Sequence, residues 1–283
     1  VLTTCPAPRC GLRIVSADKS DVLEFVIDGY SLDQTVSVLQ NMADYTGAEY
    51  IEHDGYIQGG LLPWDSYPGP GSALYAIGIN GIEGGGQCGG VPPLADIPAN
   101  ITELLVLAPG VKWAQFDLSD LPATLDKLAL AYITTENDMP ELSGLTLTHL
   151  DLRFTSFTAG PVPELPLQLV FLDMENTNRT GLAPNPGQFL SMERYHFRGN
   201  ALTGFDAPVT FNAATDYINL QNNSMSTATV NAILAAFVLA NPTAVGKKYK
   251  RLYLNGTGMG AATGQGLIDK ATIISRGFDC QTN

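Results

Sequence analysis

Asp151, Asp173, His196 and Asn219 recur along the chain at steps of 22, 23 and 23, and Tyr253 follows after a step of 34. If each step carries the chain to a neighbouring parallel strand, these residues form one column, with the two carboxylates about 5 Å apart. That is close to the separation of a retaining glycosidase pair. Such a pair needs a water-excluded pocket in which one carboxyl holds its proton near neutral pH. A flat, open strand face supplies none, so the expectation is that the pair is not catalytic.

The same steps generate two further columns. Arg153, Glu175, Arg198, Gln221 and Asn255 begin with alternating charges that can pair across strands, each exposed pair worth about 0–1 kcal/mol. His149, Phe171, Arg194, Tyr217 and Arg251 set arginine among aromatic rings, the residue types that dominate binding hot spots. Together the columns define a candidate ligand face of Asp151, Arg153, Phe171, Asp173, Glu175, Arg194, His196, Arg198, Tyr217, Asn219, Arg251 and Tyr253. Rings would stack on a sugar while the Asp and Asn side chains accept its hydroxyls, or the same groups would meet a protein. The alternative is a solvated face that binds nothing.

Other chemistries lack their residues. His53, His149 and His196 sit in no nucleophile motif, and Gly-x-Ser-x-Gly is absent. The glycine runs near Gly84 and Gly256 lack the lysine and following helix of a phosphate loop. No cysteine or histidine pair has zinc-ligand spacing beside a second pair, so neither metal nor cofactor is expected, and no enzymatic activity. The net charge of −13 disfavours nucleic acid, and no apolar run is long enough to cross a bilayer. Cys5 and Cys10 bracket a proline-containing loop and would bridge in an oxidising setting; Cys88 and Cys280 would cross-link the chain ends or two copies. Four free thiols are the alternative. The chain starts at Val1, which leaves open a removed leader or a removed initiator Met.

The element that must position these columns is a recurring phrase of three apolar residues: Leu125, Leu128, Leu130; Leu147, Leu150, Leu152; Leu169, Leu172, Met174; and Met192, Tyr195, Phe197. A shorter copy is Ile218 and Leu220. Ile101, Leu104, Val106 extend the series upstream, and Tyr249, Leu252, Leu254 extend it downstream across an insertion. In the insertion, Val230, Ile233, Leu234 and Phe237 recur at helical spacing after Ser226 or Thr227 as cap, and Asn241-Pro242 ends the helix. The phrase and its period resemble the leucine-rich repeat, in which Asn or Cys stands three residues after the last apolar position. Here that position holds Ile133, Thr155, Thr177, Asn200 and Asn223. The resemblance implies an α/β solenoid with a parallel sheet on its concave face and short helices and loops on its convex face.

Three regions are expected: a β-rich attachment region at 1–58, a Gly/Pro-rich connector and repeat cap at 59–95, and the repeat domain at 96–283. In the first, the runs 12–15 and 22–27 read as strands and 35–42 as a short helix; 74–79 reads as a strand in the connector. Near the end, Leu267, Ile268, Ala271 and Ile274 fall at helical spacing before Gly277, a helix-terminating glycine.

The segment from Leu220 through the insertion helix to Arg276-Gly277-Phe278 is similar to the terminal segment of leucine-rich repeat proteins of tailed-bacteriophage virions and some bacterial surface proteins. That similarity covers the last quarter of the chain; the repeats before it share only the period. It implies a non-enzymatic structural or adhesive protein on a virion surface (capsid decoration, head fibre or tail-associated component) that contacts other virion proteins, copies of itself, or a host surface glycan or protein. A secreted or surface-anchored bacterial protein, extracellular or on the cell surface, is the alternative, and a glycan-active enzyme ranks third.

Overall fold

The computed structural model describes residues 9–15, 22–28, 50–55, 76–80, 101–112, 121–135, 137–243 and 250–283. The chain divides into two compact units, Val1–Asn137 and Asp138–Asn283.

In the first unit β1 (Arg9–Val15) pairs antiparallel with both β2 (Val22–Asp28) and β3 (Tyr50–Gly55). From β3 onward the sheet is parallel, through β4 (Ala76–Asn80), β5 (Glu103–Lys112) and β6 (Lys127–Thr134). The register runs Ile51 to Ile77 to Leu104 to Leu128, so parallel coiling starts two strands before the apolar phrase becomes legible. The segment 35–42, expected to be helical, lies outside the described residues.

The second unit is a parallel β-solenoid. Its strands β7 (His149–Asp151), β8 (Phe171–Asp173), β10 (Arg194–His196), β12 (Tyr217–Asn219), β13 (Arg251–Leu254) and β14 (Asp279–Thr282) pair in that order. Between them, β9 (Thr180–Ala183) and β11 (Ala201–Phe205) form a second, two-stranded parallel ladder. The strands of the main ladder are short because the chain enters and leaves the sheet within a single turn of the coil. What holds the turns in register is the apolar phrase: Leu147, Leu150, Leu152, Leu169, Leu172, Met174, Met192, Tyr195, Phe197, Ile218, Leu220, Leu252 and Leu254 are all fully buried. Tyr195 fits among them because its hydroxyl donates to Pro184 O at 2.6 Å.

Each strand leaves the sheet by the same manoeuvre. The second residue after the last inward apolar side chain is left-handed: Phe154, Asn176, Gly199, Asn222 and Gly256. In the first four turns the next residue is Thr155, Thr177, Asn200 or Asn223, all buried, whereas Thr257 after Gly256 is exposed. Asn200 Nδ2 donates to Met174 O and Phe197 O at 2.8 and 3.1 Å, and its Oδ1 accepts from the backbone N–H of Thr177 and Arg179 at 3.2 and 2.9 Å. Asn223 repeats the pattern one turn on, bonding Phe197 O, Leu220 O and Leu202 N. Thr177 Oγ1 reaches only Met174 O among backbone groups, the partial service a hydroxyl can give. At Gly199 (φ 71°) a Cβ would come within 1.9 Å of Asn176 Oδ1, so any larger residue here needs the Asn176 side chain to shift.

Two helices complete the unit. α1 (Thr227–Ala240) begins at Ser226, whose Oγ accepts from Thr229 N, and buries Val230, Ile233, Leu234 and Phe237. It ends at Asn241, and Arg276 Nη1 donates to Val238 O and Asn241 O, placing a cation on the helix's negative end. α2 (Gln265–Ser275) turns a different face inward from the one its apolar spacing suggests: Gly266, Asp269 and Ile273 are buried, while Leu267, Ile268 and Ile274 are at least half exposed. The helix comes close to α1 on this face, where a Cβ on Gly266 would meet Asn231 Oδ1 at 2.0 Å. After Gly277 (φ 92°), Phe278 packs edge-on against Phe237, and β14 adds to the sheet.

Replacing Asn200 with alanine strands the N–H groups of Thr177 and Arg179 in a buried turn, at about 1–3 kcal/mol each, while Met174 O and Phe197 O keep Thr177 Oγ1 and Asn223 Nδ2 as donors. Asn200→Ala is expected to lower stability by about 3 kcal/mol, and Asn200→Thr by roughly half as much, read as shifts of the urea midpoint at unchanged slope.

Candidate functional site

The strand register aligns the three columns as their spacing requires. His149, Phe171, Arg194, Tyr217 and Arg251 are cross-strand neighbours, as are Asp151, Asp173, His196, Asn219 and Tyr253. The third column continues the ladder past the strand ends, with Phe154 N, Asn176 N, Gly199 N and Asn222 N donating to the carbonyls of Glu175, Arg198, Gln221 and Asn255.

The middle column does not present the solvated carboxylates expected of it. Asp151, Asp173, His196 and Asn219 are all buried, covered by the longer side chains on either side. Asp151, Asp173 and Asn219 play the same part. Oδ1 of each accepts the backbone N–H two residues on, from Arg153, Glu175 and Gln221, at 3.1–3.2 Å. This local bond turns the chain out of the strand and explains why the column favours Asp and Asn. The remaining atoms are engaged too. Asp151 Oδ2 pairs with Arg153 Nη2 at 2.6 Å, and Asn219 Nδ2 donates to Tyr217 Oη at 3.2 Å. Part of the hydrogen-bonding capacity expected to serve sugar hydroxyls is thus already used within the fold.

Burial also corrects the premise that an open sheet leaves both carboxylates in water. Desolvation raises the Asp151 carboxyl above its ordinary value, opposed by the N–H of Arg153 and assisted by the charge of Asp173. Arg153 closes over Asp151, and none of the residues lining the groove of about 610 Å³ at Pro161, Leu165, Leu167, Leu182 and Pro184 belongs to the columns.

His196 is the exception in its column. Its Nδ1 lies 3.0 Å from Asp173 Oδ2, and its Nε2 faces Glu175 Oε2 at 3.5 Å. Asp173, Glu175 and His196 can each point a ligand atom within 4.8 Å of the others. A search for paired cysteines or histidines misses this grouping, because it has one histidine and draws its members from two strands. The expected pairing across the Arg153–Asn255 column is present between Arg198 Nη1 and Glu175 Oε1 at 3.4 Å.

The groups that do reach solvent are arginines and rings. The Arg194 guanidinium sits between Phe171 and Tyr217, 5.0 and 5.1 Å from their centroids, and has no carboxylate partner among the described residues. Phe171 stacks on His149 at 5.8 Å, and Tyr217 meets Tyr253 edge-on at 6.0 Å. Tyr253 in turn donates to Asp279 Oδ2 at 2.6 Å. Phe171, Tyr217 and Tyr253 are half-buried by this chain of contacts, and Arg194, Arg198 and Arg251 are exposed.

Cys280 is buried on β14 and bonds to no cysteine among the described residues. Cys5 and Cys88 lie outside those residues, and with them the expected Cys5–Cys10 bridge. Compared with known proteins, the chain matches no family model, no curated protein and no solved structure.

Burial pushes the Cys280 thiol up to about 11. The protonated thiol is the form the fold favours, so its contribution is complete below the unfolded thiol's range and is lost as pH rises through about 11. Alkylation of Cys280 in the native chain is expected to be slow at pH 8 and to rise toward pH 11, whereas the urea-unfolded chain reacts with a midpoint at the ordinary thiol value, about 9; mass spectrometry of the alkylated peptide reads both.

Proposed function

We propose that the chain is a non-enzymatic, leucine-rich-repeat-type binding protein of a bacteriophage particle surface, whose strand face grips a carboxylate-bearing protein partner: another virion protein or a second copy. The period of the apolar phrase and the asparagines at the strand exits support the repeat type. The terminal segment, resembling those of virion repeat proteins, supports display on a particle.

One observation carries the binding reading: Arg194 is held between two aromatic rings, exposed and without a carboxylate partner among the described residues. Caging fixes the guanidinium's orientation before any partner arrives, so little side-chain entropy remains to be lost on contact. Its planar fork suits a carboxylate bidentately. A protein partner is preferred to a neutral glycan because Asp151, Asp173 and Asn219, which a sugar's hydroxyls would need, are already bonded within the fold. The face exposes Arg194, Arg198 and Arg251 in a chain of net charge −13, which also gives a second copy abundant carboxylates to offer.

Mass spectrometry of purified particles and of culture supernatant is expected to find the chain in fixed stoichiometry with capsid proteins; recovery from supernatant alone would point to a secreted protein. On immobilised full chain, purified virion proteins or free chain should bind with affinity reduced about 10- to 100-fold by Arg194→Ala and comparably by Phe171→Ala plus Tyr217→Ala. Unchanged binding in both variants, or binding of neutral glycans in its place, contradicts this reading.

A further inference from the structure

Two electron-pair donors, His196 Nε2 and Glu175 Oε2, face each other on the strand side of the second unit with no hydrogen bond between them. His196 is 9% exposed, its Nε2 is buried, and that nitrogen has no hydrogen-bond partner. The nearest polar atom facing it is Glu175 Oε2, at 3.5 Å. The other ring nitrogen has a clear role. Nδ1 lies 3.0 Å from Asp173 Oδ2, and a carboxylate only accepts, so Nδ1 carries the hydrogen and donates it. Asp173 is itself fixed, its Oδ1 taking the N–H of Glu175. In the neutral ring this arrangement leaves the Nε2 lone pair aimed at Glu175.

Glu175 divides its oxygens in a matching way. Oε1 receives Arg198 Nη1 and Asn176 Nδ2, both at 3.4 Å, while Oε2 faces the imidazole. A lone pair and a carboxylate oxygen brought together away from water repel unless something positive lies between them. A proton on Nε2 would draw the two atoms to about 2.7–2.9 Å, the length of a charge-assisted hydrogen bond. The observed 3.5 Å is longer and lacks hydrogen-bond geometry. It is close to the edge of a tetrahedron around zinc: with metal–ligand bonds of about 2.0–2.1 Å, two ligand atoms stand about 3.4 Å apart.

We infer that His196 Nε2 and Glu175 Oε2 are two ligands of a divalent transition-metal site, with Zn²⁺ the ion its donors suit, and that Asp173 is the carboxylate that orients the imidazole from behind. An imidazole nitrogen with carboxylate oxygen selects zinc and its neighbours over calcium or magnesium, which take oxygen throughout. The Asp173–His196 pair is the outer support that metal-bound histidines use to fix tautomer and ring direction. The ring is also held edge-on against Tyr217 at 5.7 Å. Two direct protein ligands leave the remaining positions to water, so the affinity is modest. The site stands independently of the partner proposed above, because its test contains no partner.

The test uses the chelator-treated full chain titrated with Zn²⁺ alone by calorimetry, beside His196→Asn, Glu175→Gln and Asp173→Asn. The wild type is expected to bind one equivalent that is missing from both His196→Asn and Glu175→Gln, and to bind that ion at least tenfold more tightly than Asp173→Asn does. Other groups of the chain can bind zinc, so only the difference between wild type and variants counts. Identical titrations for wild type, His196→Asn and Glu175→Gln, or no binding at all, overturn the inference. If the variants do not fold, the wild type suffices: on adding Zn²⁺ the ¹⁵N resonance of His196 Nε2 should move while Nδ1 keeps its proton, and an unmoved Nε2 refutes the site.

Discussion

The second unit depends on how its backbone leaves the sheet. A strand this short makes few ladder bonds, and each exit exposes carbonyls and N–H groups to an interior that has no water to pair with them. Asn200 and Asn223 meet this need with one side chain per turn, giving two hydrogens to carbonyls and accepting N–H groups from the previous turn. Because Asn200 reaches Met174 O of the previous turn and Asn223 reaches Phe197 O, each amide also fixes the spacing between turns. The left-handed residue before it makes the corner, and the apolar phrase fills the space the corner encloses. Where the amide is missing, other groups take over. Arg179, fully buried, donates to Thr177 O, Pro161 O and Thr158 O and rests on the Phe157 ring.

That arrangement dictates the chemistry of the strand face. The inward positions are given to the apolar phrase, so the polar groups of the strands are carried on the other side, at a spacing set by the ladder. Three parallel columns at this spacing are too close for all of them to reach water. The short Asp and Asn side chains lie below and turn the strand ends, while the longer arginines and rings close over them. A face that reads as mixed acid, base and aromatic therefore offers outward a set of guanidinium groups braced by rings.

His196 shows what happens when the column changes residue type. It occupies the place of an Asp or Asn, cannot make the local bond to the backbone, and turns to its neighbours on the adjacent turn. Asp173 accepts from one nitrogen, and Glu175, one step further along the same turn, faces the other. The grouping of acid, imidazole and acid follows from one substitution in a repeating structural role, with no motif along the chain to announce it.

Much of this architecture is written along the chain. The near-constant step of the apolar phrase fixes the register, which is why the columns His149–Arg251 and Asp151–Tyr253 can be assembled before any coordinates are known. Periodicity is a one-dimensional property, and a parallel ladder preserves it. The span of α1, its cap at Ser226 and its four buried apolar residues are legible for the same reason, being local in sequence. Only the tertiary structure decides the rest. Whether Asp151 and Asp173 meet water depends on side chains from flanking columns. Which face of α2 is buried depends on how the helix packs in the folded unit, with Gly266, Asp269 and Ile273 turned inward. The start of the parallel coil at β3 depends on pairing that its own residues do not signal. The orphaned nitrogen of His196 depends on where a neighbouring turn places Glu175, a distance that composition and spacing leave open.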